Sequence, residues 1–281
     1  MPELPEVEVC RQGLLPEMMG RRIEAVRIRA PKLRYPIPPE LAERLPGCIV
    51  HAIRRRGKYL LFDCARPGVE GTLIVHLGMS GHLRFVPPGQ AAARHDHFEL
   101  ALATPQGAKW LRLADPRRFG LVLWQPGPPA ASAAHPLLAA LGVEPLAAGF
   151  DGDWLHAALA RRASPIKPVL MDSHLLVGVG NIYAAESLFR AGISPLRAAR
   201  RISRARCHLL ADAIRATLSD AIAAGGSSIR DYVHSDGSAG WFQIQAAVYE
   251  RAGAPCRRCG GTIRQLRQAG RSTYYCPRCQ H

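Results

Sequence analysis

The opening residues, MPELPEVE, could supply both the nucleophile and the acid of a covalent reaction. If Met1 is removed, Pro2 carries a secondary amine, and a terminal amine has a pKa of about 8 against about 10.4 for lysine. A deprotonated secondary amine attacks an aldehyde-like carbon and gives an iminium ion, which is an electron sink. Glu3 is adjacent and could move protons. The alternative is a plain helix start, which accounts for Pro5, Glu6 and Glu8 but not for Pro2.

Four cysteines near the end of the printed sequence have the spacing of a zinc ribbon, C-x2-C-x16-C-x2-C. Four thiolates can hold one Zn²⁺ tetrahedrally and leave no position for water, so this zinc would be structural. A redox-active C-x-x-C pair is the alternative, but two pairs on a tail too short to fold alone favour zinc. Arg271 would lie at the tip of the intervening hairpin, where simple solvation is the alternative. The predicted ligands are Cys256, Cys259, Cys276 and Cys279.

Two predicted turns carry an apolar side chain close to a basic one. DPRRFG contains Arg117 and Phe119, and HLGMSG contains His76 and Met79. Such a phenylalanine either packs back onto its own sheet or enters between base steps of DNA, with the arginine bonding to a base edge. The His76 imidazole could bind a phosphate. Two such turns on one basic chain favour the DNA interpretation.

VGVGNIYAAES places Asn181 after a glycine turn at the start of a predicted helix. The segment lacks the third glycine and the strand of a dinucleotide fingerprint, so we expect free N–H groups that bind a nucleic-acid phosphate. Lys167 lies upstream between two prolines, which we expect to keep it in a non-helical segment. In RRRGKYLLF, Lys58 lies with three arginines at the start of a strand. The alternative to a functional role is that these side chains form a solvated basic edge of the sheet.

The composition points to a polyanionic partner. The chain has 37 Lys and Arg against 22 Asp and Glu, a formal charge of +15, which favours nucleic acid first and an anionic membrane second. No apolar run approaches the roughly 18–20 residues of a spanning helix, and no leader with a cleavage site is evident. We therefore expect a soluble, cytoplasmic protein with no membrane partner.

The elements that must position these residues change in type along the chain. A helix from about Pro5 to Met18 precedes seven short β-rich runs, which predict an antiparallel sandwich or barrel. A Pro- and Ala-rich linker follows, and then the pattern becomes helical. Residues 225–241 are predicted to be a long loop that closes over a ligand. The predicted domains are 1–125, a linker at 126–136, 137–245, and 246–281.

These motifs together resemble bacterial formamidopyrimidine-DNA glycosylases, repair enzymes that excise 8-oxoguanine and ring-opened purines. The similar stretches run end to end: MPELPEVE, GKYLLF, HLGMSG, HDH, DPRRFG, IKPVLMD, VGVGNIYAAESLF and the four-cysteine hairpin. The resemblance implies an α+β fold, with an N-terminal antiparallel β-sandwich led by a catalytic helix. A helix–two-turn–helix module around Asn181 and a C-terminal zinc-bound β-hairpin would follow. The partner would be damaged double-stranded DNA, bound by a monomer.

The resemblance also implies roles for matching positions. Pro2 would attack the sugar C1′, and Glu3 would open or protonate the sugar ring, with Glu6 assisting. Lys58 would donate a proton or contact a phosphate in β-elimination, and Arg271 would act at the phosphate in δ-elimination. The side chains implied to contact DNA are His76, Met79, His95, Arg117, Phe119, Lys167 and Asn181, with Lys58 again at a phosphate.

Three of those side chains, Met79, Arg117 and Phe119, would fill the gap left by an everted nucleotide, and Lys167 would lie near the lesion. One position departs from the family pattern. Family members often carry a basic residue just before IKP, whereas this chain has Ala163 there, so we expect the DNA contact to shift to Arg162.

Two rival functions stay open at this point. A sibling enzyme specialised for oxidised pyrimidines would share Pro2, Glu3 and the zinc hairpin, although PELPEVE and DPRRFG resemble the purine enzyme more. A non-enzymatic zinc-ribbon DNA-binding protein would need no free Pro2 amine. Covalent trapping on lesion DNA discriminates between an enzyme and that second rival.

Overall fold

The computed structural model describes residues 2–87, 89–105, 107–226 and 246–281. These residues form two compact units. The first holds Pro2, residues 6–139 and residues 225–226, and the second holds residues 3–5, 140–224 and 246–281. Met1 and residues 227–241 of the loop predicted to close over a ligand lie outside the described residues.

The first unit is built on an antiparallel β-sandwich, as predicted. Its strands are β1 (Ile23–Ile28), β2 (Ile49–Arg56), β3 (Tyr59–Arg66), β4 (Val69–His76), β5 (His82–Val86), β6 (Asp96–Leu102), β7 (Lys109–Ala114) and β8 (Leu121–Pro126). One sheet has the order β2-β3-β4-β8 and the other β1-β6-β7-β5, and all neighbouring strands pair antiparallel.

Apolar side chains that alternate along the strands fill the space between the two sheets. Phe62 and Leu73 from one sheet and Phe98 and Leu111 from the other belong to a single buried cluster. Burying such side chains stabilises the fold by about 1.5–3 kcal/mol each. Seven of these strands were predicted, and β5 was missed because its five residues lie between a glycine turn and two prolines.

The leading helix, α1, spans Leu4–Met18, close to its predicted bounds. Val7, Cys10, Leu14 and Met18 recur at helical spacing, and all four join the sandwich core. On the same helix, Glu8 pairs with Arg11 at 2.6 Å and with Arg55 of β2 at 2.9 Å. The helix is therefore fastened to the sandwich by packing and by charge. A short helix, α2 (Leu41–Arg44), lies between β1 and β2 in the chain.

The second unit is largely helical, as predicted. Its helices are α4 (Gly152–Leu159), α5 (Ile166–Leu170), α6 (Asn181–Arg190) and α7 (Arg204–Ala223); a one-turn helix, α3 (Pro136–Ala139), precedes them in the first unit. The predicted non-helical state of Lys167 is wrong, since Lys167 lies in α5. Pro165 is the N-cap and Pro168 lies in the first turn, where an N–H has no helical partner, so neither proline prevents the helix.

The end of the second unit is a two-stranded hairpin, β9 (Arg264–Gln268) and β10 (Arg271–Tyr275). Ala269 and Gly270 form its turn with φ of 46° and 76°, the geometry that matches the twist of a tight hairpin. Arg271 is exposed at the first position after the turn, where the sequence predicted it.

The predicted linker contains a 3₁₀ helix at Pro129–Ala134, and residues 126–139 cluster with the first unit. The predicted domain boundaries stay a prediction. Within the described residues, no helix has the length and apolar character needed to cross a membrane.

Candidate active site and nucleic-acid interface

The Glu3 carboxylate is buried at the N-terminus of α6. Its two oxygens accept hydrogen bonds from Gly180 N at 2.7 Å and Ile182 N at 3.1 Å. Unpaired N–H groups and the positive end of the helix dipole both stabilise a carboxylate there. Gly180 permits this approach, because a Cβ at that position would lie 2.7 Å from Glu3 Oε2. The expectation that these N–H groups are free for a DNA phosphate is therefore wrong for Gly180 and Ile182.

Lys167 is almost fully buried, with 1% exposure, and its ammonium joins three segments of the second unit. The Nζ atom donates to Asn181 Oδ1 at 2.5 Å, to Thr273 Oγ1 at 2.8 Å and to Ser272 O at 3.0 Å. An ammonium has three donors, so these three acceptors use all of them. Burial lowers the pKa of Lys167 to about 8; Glu3 opposes this shift and Arg271 adds to it.

A cavity of about 220 Å³ lies beside Lys167 and the hairpin turn. Asp172 and Arg271 contribute charged side chains of opposite sign to its lining, and Met171 contributes an apolar one. Because the Lys167 ammonium donates all three of its hydrogen bonds to acceptors of the protein, it would act on a ligand in this cavity indirectly, by positioning the hairpin.

Asn181 begins α6 and makes side-chain contacts rather than standing free. Its amide oxygen accepts from Lys167, and it hydrogen-bonds to the Tyr249 side chain. Burial raises the pKa of Tyr249 to about 12 in spite of that bond, so the phenol is neutral at physiological pH. Tyr249 also packs edge-on against Tyr274, with ring centroids 5.3 Å apart. DNA contact by Asn181 stays a prediction.

Arg162 is exposed and pairs with Asp172 Oδ2 at 3.2 Å. An exposed ion pair of this kind contributes about 0–1 kcal/mol, so a phosphate could replace the carboxylate at little cost. The neighbouring Ala163 is also exposed.

Glu186 is a residue of this region that sequence reasoning missed. From the buried face of α6 its carboxylate accepts from Ala247 N, Val248 N and Tyr249 N at 2.8–3.0 Å. It thereby fixes the segment that leads into the hairpin. The available signal was an acid within the otherwise apolar run NIYAAESLF, although nothing in the sequence indicates its partners.

In the first unit, Lys58 and His76 lie at one end of the sandwich. Lys58 occupies the β2–β3 turn and His76 ends β4. Burial lowers the pKa of His76 to about 3, with further lowering by the charges of Lys58 and Arg34, so the ring is neutral. Its Nδ1 accepts from Gly78 N at 2.9 Å, which leaves Nε2 as the protonated nitrogen. His76 can therefore bind a phosphate as a neutral hydrogen-bond donor.

Glu6 is fully buried on α1 of the first unit. Gly226, in the segment after α7, lies close to it, since an added Cβ there would lie 3.4 Å from Glu6 Oε1. Glu6 therefore borders the start of the segment predicted to close over a ligand.

The two turns predicted to enter DNA present their side chains outward. Phe119 is 45% exposed, unusual for a phenylalanine, and the Arg117 guanidinium lies 5.1 Å from its ring centre. The structure therefore does not show Phe119 packed back onto its own sheet. Met79 and His95 are partly exposed. The His95 carbonyl accepts from Asp115 N at 3.0 Å, which connects it to the same turn.

The four predicted zinc ligands converge, with their sulfur atoms all within 4.8 Å of one another. Cys256 Sγ and Cys279 Sγ are 3.9 Å apart, and Cys259 Sγ and Cys276 Sγ are 3.5 Å apart. A tetrahedral Zn–S length of about 2.3 Å requires sulfurs about 3.8 Å apart, so the cluster fits zinc. Four thiolates leave no open position, and the zinc is structural.

Family models match most of the chain. They are the formamidopyrimidine-DNA glycosylase N-terminal domain over residues 1–122, the H2TH domain of the same enzymes over 141–233, and a zinc finger found in FPG and IleRS over 253–281.

Similar proteins cover the same length. Formamidopyrimidine-DNA glycosylase of Dechloromonas aromatica is 71% identical over 281 residues and 100% of both chains. A Lactococcus lactis Fpg solved with DNA containing FAPY-dG is 34% identical, covers 99% of this chain and 100% of its own, and has a TM-score of 0.88. The same protein solved with DNA containing an oxidised pyrimidine is 33% identical, with 100% coverage of both chains and a TM-score of 0.88.

The β-sandwich, the helical module and the four-thiolate hairpin, with these matches, define a zinc-finger DNA glycosylase of base excision repair. Sequence identity of 71% over the full length makes the assignment specific. The chain belongs to the formamidopyrimidine-DNA glycosylase family.

Proposed function

We propose that this chain removes 8-oxoguanine and formamidopyrimidines from double-stranded DNA through Pro2 and then cleaves the strand. The relatives' name and the Lactococcus complex with FAPY-dG DNA support the ring-opened purine. Oxidised pyrimidines are the second candidate, because the same relative was solved with such a lesion. Its site of action would be the bacterial cytoplasm, where chromosomal DNA lies.

The first step in this proposal forms a bond between the Pro2 nitrogen and C1′ of the damaged nucleotide. The bond from C1′ to the base breaks, and the base leaves with its electron pair and takes up a proton. The new ammonium then gives its proton to Glu3, which delivers it to O4′ as the C1′–O4′ bond opens. The product is an iminium ion that joins Pro2 to the sugar.

Strand cleavage follows from the acidity of the iminium ion. Loss of a C2′ proton expels the 3′ phosphate, and a second elimination expels the 5′ phosphate. We assign Lys58 to proton donation or phosphate contact in the first elimination, and Arg271 to the phosphate of the second. Glu6 assists Glu3. Water finally hydrolyses the iminium and frees Pro2.

The observation that carries this proposal is the fixed position of the carboxylate of Glu3, the residue that follows Pro2 in the chain. Two backbone N–H groups hold its oxygens at 2.7 and 3.1 Å, so the carboxylate keeps one orientation at the N-terminus of α6. A carboxylate stabilised by N–H donors can accept the proton that the amine must lose, and a preorganised group needs no rearrangement during the reaction.

DNA binding in the proposal divides between the two units. In the first, His76, His95 and Lys58 bind phosphates, while Met79, Arg117 and Phe119 occupy the gap left by the everted nucleotide. In the second, Arg162 and Asn181 bind phosphates and Lys167 orients the hairpin turn that carries Arg271. The formal charge of +15 supports a polyanionic partner.

Excision from three duplexes of one sequence tests the proposal, with 8-oxoguanine, a formamidopyrimidine or thymine glycol at the same position. We expect cleavage at both purine lesions, and a loss of about 100-fold or more for Glu3→Gln. Glu8→Gln is the matched control, since Glu8 is a partly buried carboxylate of the adjoining helix α1 that pairs with Arg11 and Arg55. Cleavage of thymine glycol alone would favour the pyrimidine enzyme, and binding without cleavage of any lesion would favour a non-enzymatic protein.

A further inference from the structure

Two turns of the first unit approach each other closely. The Met79 turn comprises residues 77–81, and the Phe119 turn comprises residues 115–120. Gly78 has φ of 67°, and a Cβ on it would lie 2.8 Å from Phe119 O. On the other side, a Cβ on Gly120 would lie 2.8 Å from His76 O. The backbones of the two turns are therefore in direct contact.

A buried carboxylate joins the two turns. Asp115 has 0% exposure, and its Oδ1 accepts from Ser80 Oγ at 2.8 Å, across to the Met79 turn. Its Oδ2 accepts from Gly120 N at 2.8 Å, within the Phe119 turn. Ser80 Oγ in turn accepts from Arg117 N at 3.2 Å, so the hydroxyl is used as donor and as acceptor.

The Asp115 backbone extends the same network. Its carbonyl accepts from Arg118 N at 3.2 Å and bonds to His97 Nε2 at 2.9 Å, and its N–H donates to His95 O at 3.0 Å. Arg118 has a φ of 56°, a conformation that non-glycine residues adopt at a cost in energy. The Phe119 turn is thus held in a strained shape by bonds that converge on one residue.

We propose that Asp115 and Ser80 are positioning residues that join the two turns into one rigid wedge, so that Met79, Arg117 and Phe119 enter the duplex together. The inference rests on the proposed function. Core packing alone does not account for the network, because Phe119 points outward with 45% exposure and gains little from burial. Burying a carboxylate away from water costs free energy unless its oxygens accept hydrogen bonds. Here the donors to Asp115 come from the two turns that must act together.

Loss of the link would let each turn move independently, and both would have to be ordered again when DNA is bound. The free-energy cost of ordering one or two backbone residues corresponds to about a 10- to 100-fold slower excision from a duplex. Cleavage of a preformed abasic site should fall by less than about 3-fold, since an abasic site has no stacked base to displace.

Ser80→Ala, Asp115→Asn and the double variant test the inference on full-length protein. Thr72→Val is the matched control, because Thr72 is another fully buried hydroxyl that donates to a buried aspartate, Asp63, at 2.8 Å, but within the sandwich. Excision is measured on 8-oxoguanine duplex and cleavage on abasic duplex, and a fluorescent base next to the lesion reports unstacking.

We expect both single variants to slow unstacking and lesion excision selectively, and the double variant to be no worse than the poorer single variant, because both remove one link. Thr72→Val should lower thermal stability and affect both substrates alike. Equal losses on both substrates, additive losses in the double variant, or normal unstacking would overturn the inference. Failure of the wild-type protein to excise any lesion would instead refute the proposed function.

Discussion

Replacing Lys167 with methionine should separate the stability of the second unit from its activity. Lys167 is 1% exposed, and its pKa of about 8 lies well below the ordinary lysine value of 10.5. A charged Lys167 therefore destabilises the folded state through its desolvation, while two of its three hydrogen bonds position Ser272 and Thr273. Methionine removes the desolvation penalty together with the bonds, so we expect little change in stability at pH 7 but weaker strand cleavage.

The pH dependence gives this prediction a magnitude. Below pH 8 the lysine is protonated in both states, and the penalty is fully present. Between pH 8 and 10.5 the unfolded chain binds more protons than the folded one, so the stability of the wild-type protein rises with pH. With these two pKa values, the linkage relation gives about 2 kcal/mol between pH 7 and 9.5.

The assay compares thermal midpoints of wild type and Lys167→Met across that range. The wild-type midpoint should gain several degrees relative to the variant, since about 1 kcal/mol corresponds to 2–4 °C in a chain of this size. Lys32→Met is the matched control, because Lys32 is exposed. A difference between wild type and Lys167→Met that does not change with pH would refute the reasoning, as would a control that shows the same change.

Three further predictions follow from the site. Removal of zinc by a chelator should abolish proteolytic protection of residues 246–281 and weaken DNA binding; full affinity after removal would contradict a structural role for the metal. Phe119→Ala should slow excision from a duplex more than cleavage of an abasic site, whereas an equal loss or only a lower melting temperature would indicate a packing role. Because the pKa of His76 is about 3, His76→Ala should weaken DNA binding by the same factor at pH 5.5 and pH 8; a loss confined to acid pH would show a charged imidazole.

Local pattern was sufficient to predict much of this fold. The sequence indicated seven strands, the leading helix, the helices of the second unit and the hairpin, because side-chain periodicity and turn residues act over a few positions. Cysteine spacing was similarly informative, since a hairpin brings two C-x-x-C pairs together whatever surrounds it. The short strand β5 gave too few residues for alternation to be recognised.

The arrangement of the site was less predictable because its contacts join distant parts of the chain. Glu3 and Gly180 are 177 residues apart, and no local pattern indicates that a carboxylate accepts hydrogen bonds from the N–H groups at the start of α6. Lys167 was expected in a non-helical segment, yet its partners Ser272 and Thr273 lie more than 100 residues away in the hairpin. Burial of a charge depends on such long-range packing, which periodicity does not encode.

The most direct test of the central claim concerns the Pro2 nitrogen. A peptide bond to a preceding residue makes that nitrogen a tertiary amide, whose lone pair is delocalised and cannot attack C1′. The protein can be made with a cleavable leader before Pro2, so that one preparation yields both forms with the same fold. Each form is incubated with 8-oxoguanine duplex and borohydride, and the adduct is mapped by mass spectrometry. The cleaved form should give a reduced adduct at Pro2 and the uncleaved form none; an adduct in the uncleaved form, or one that maps to Lys58, would contradict the mechanism.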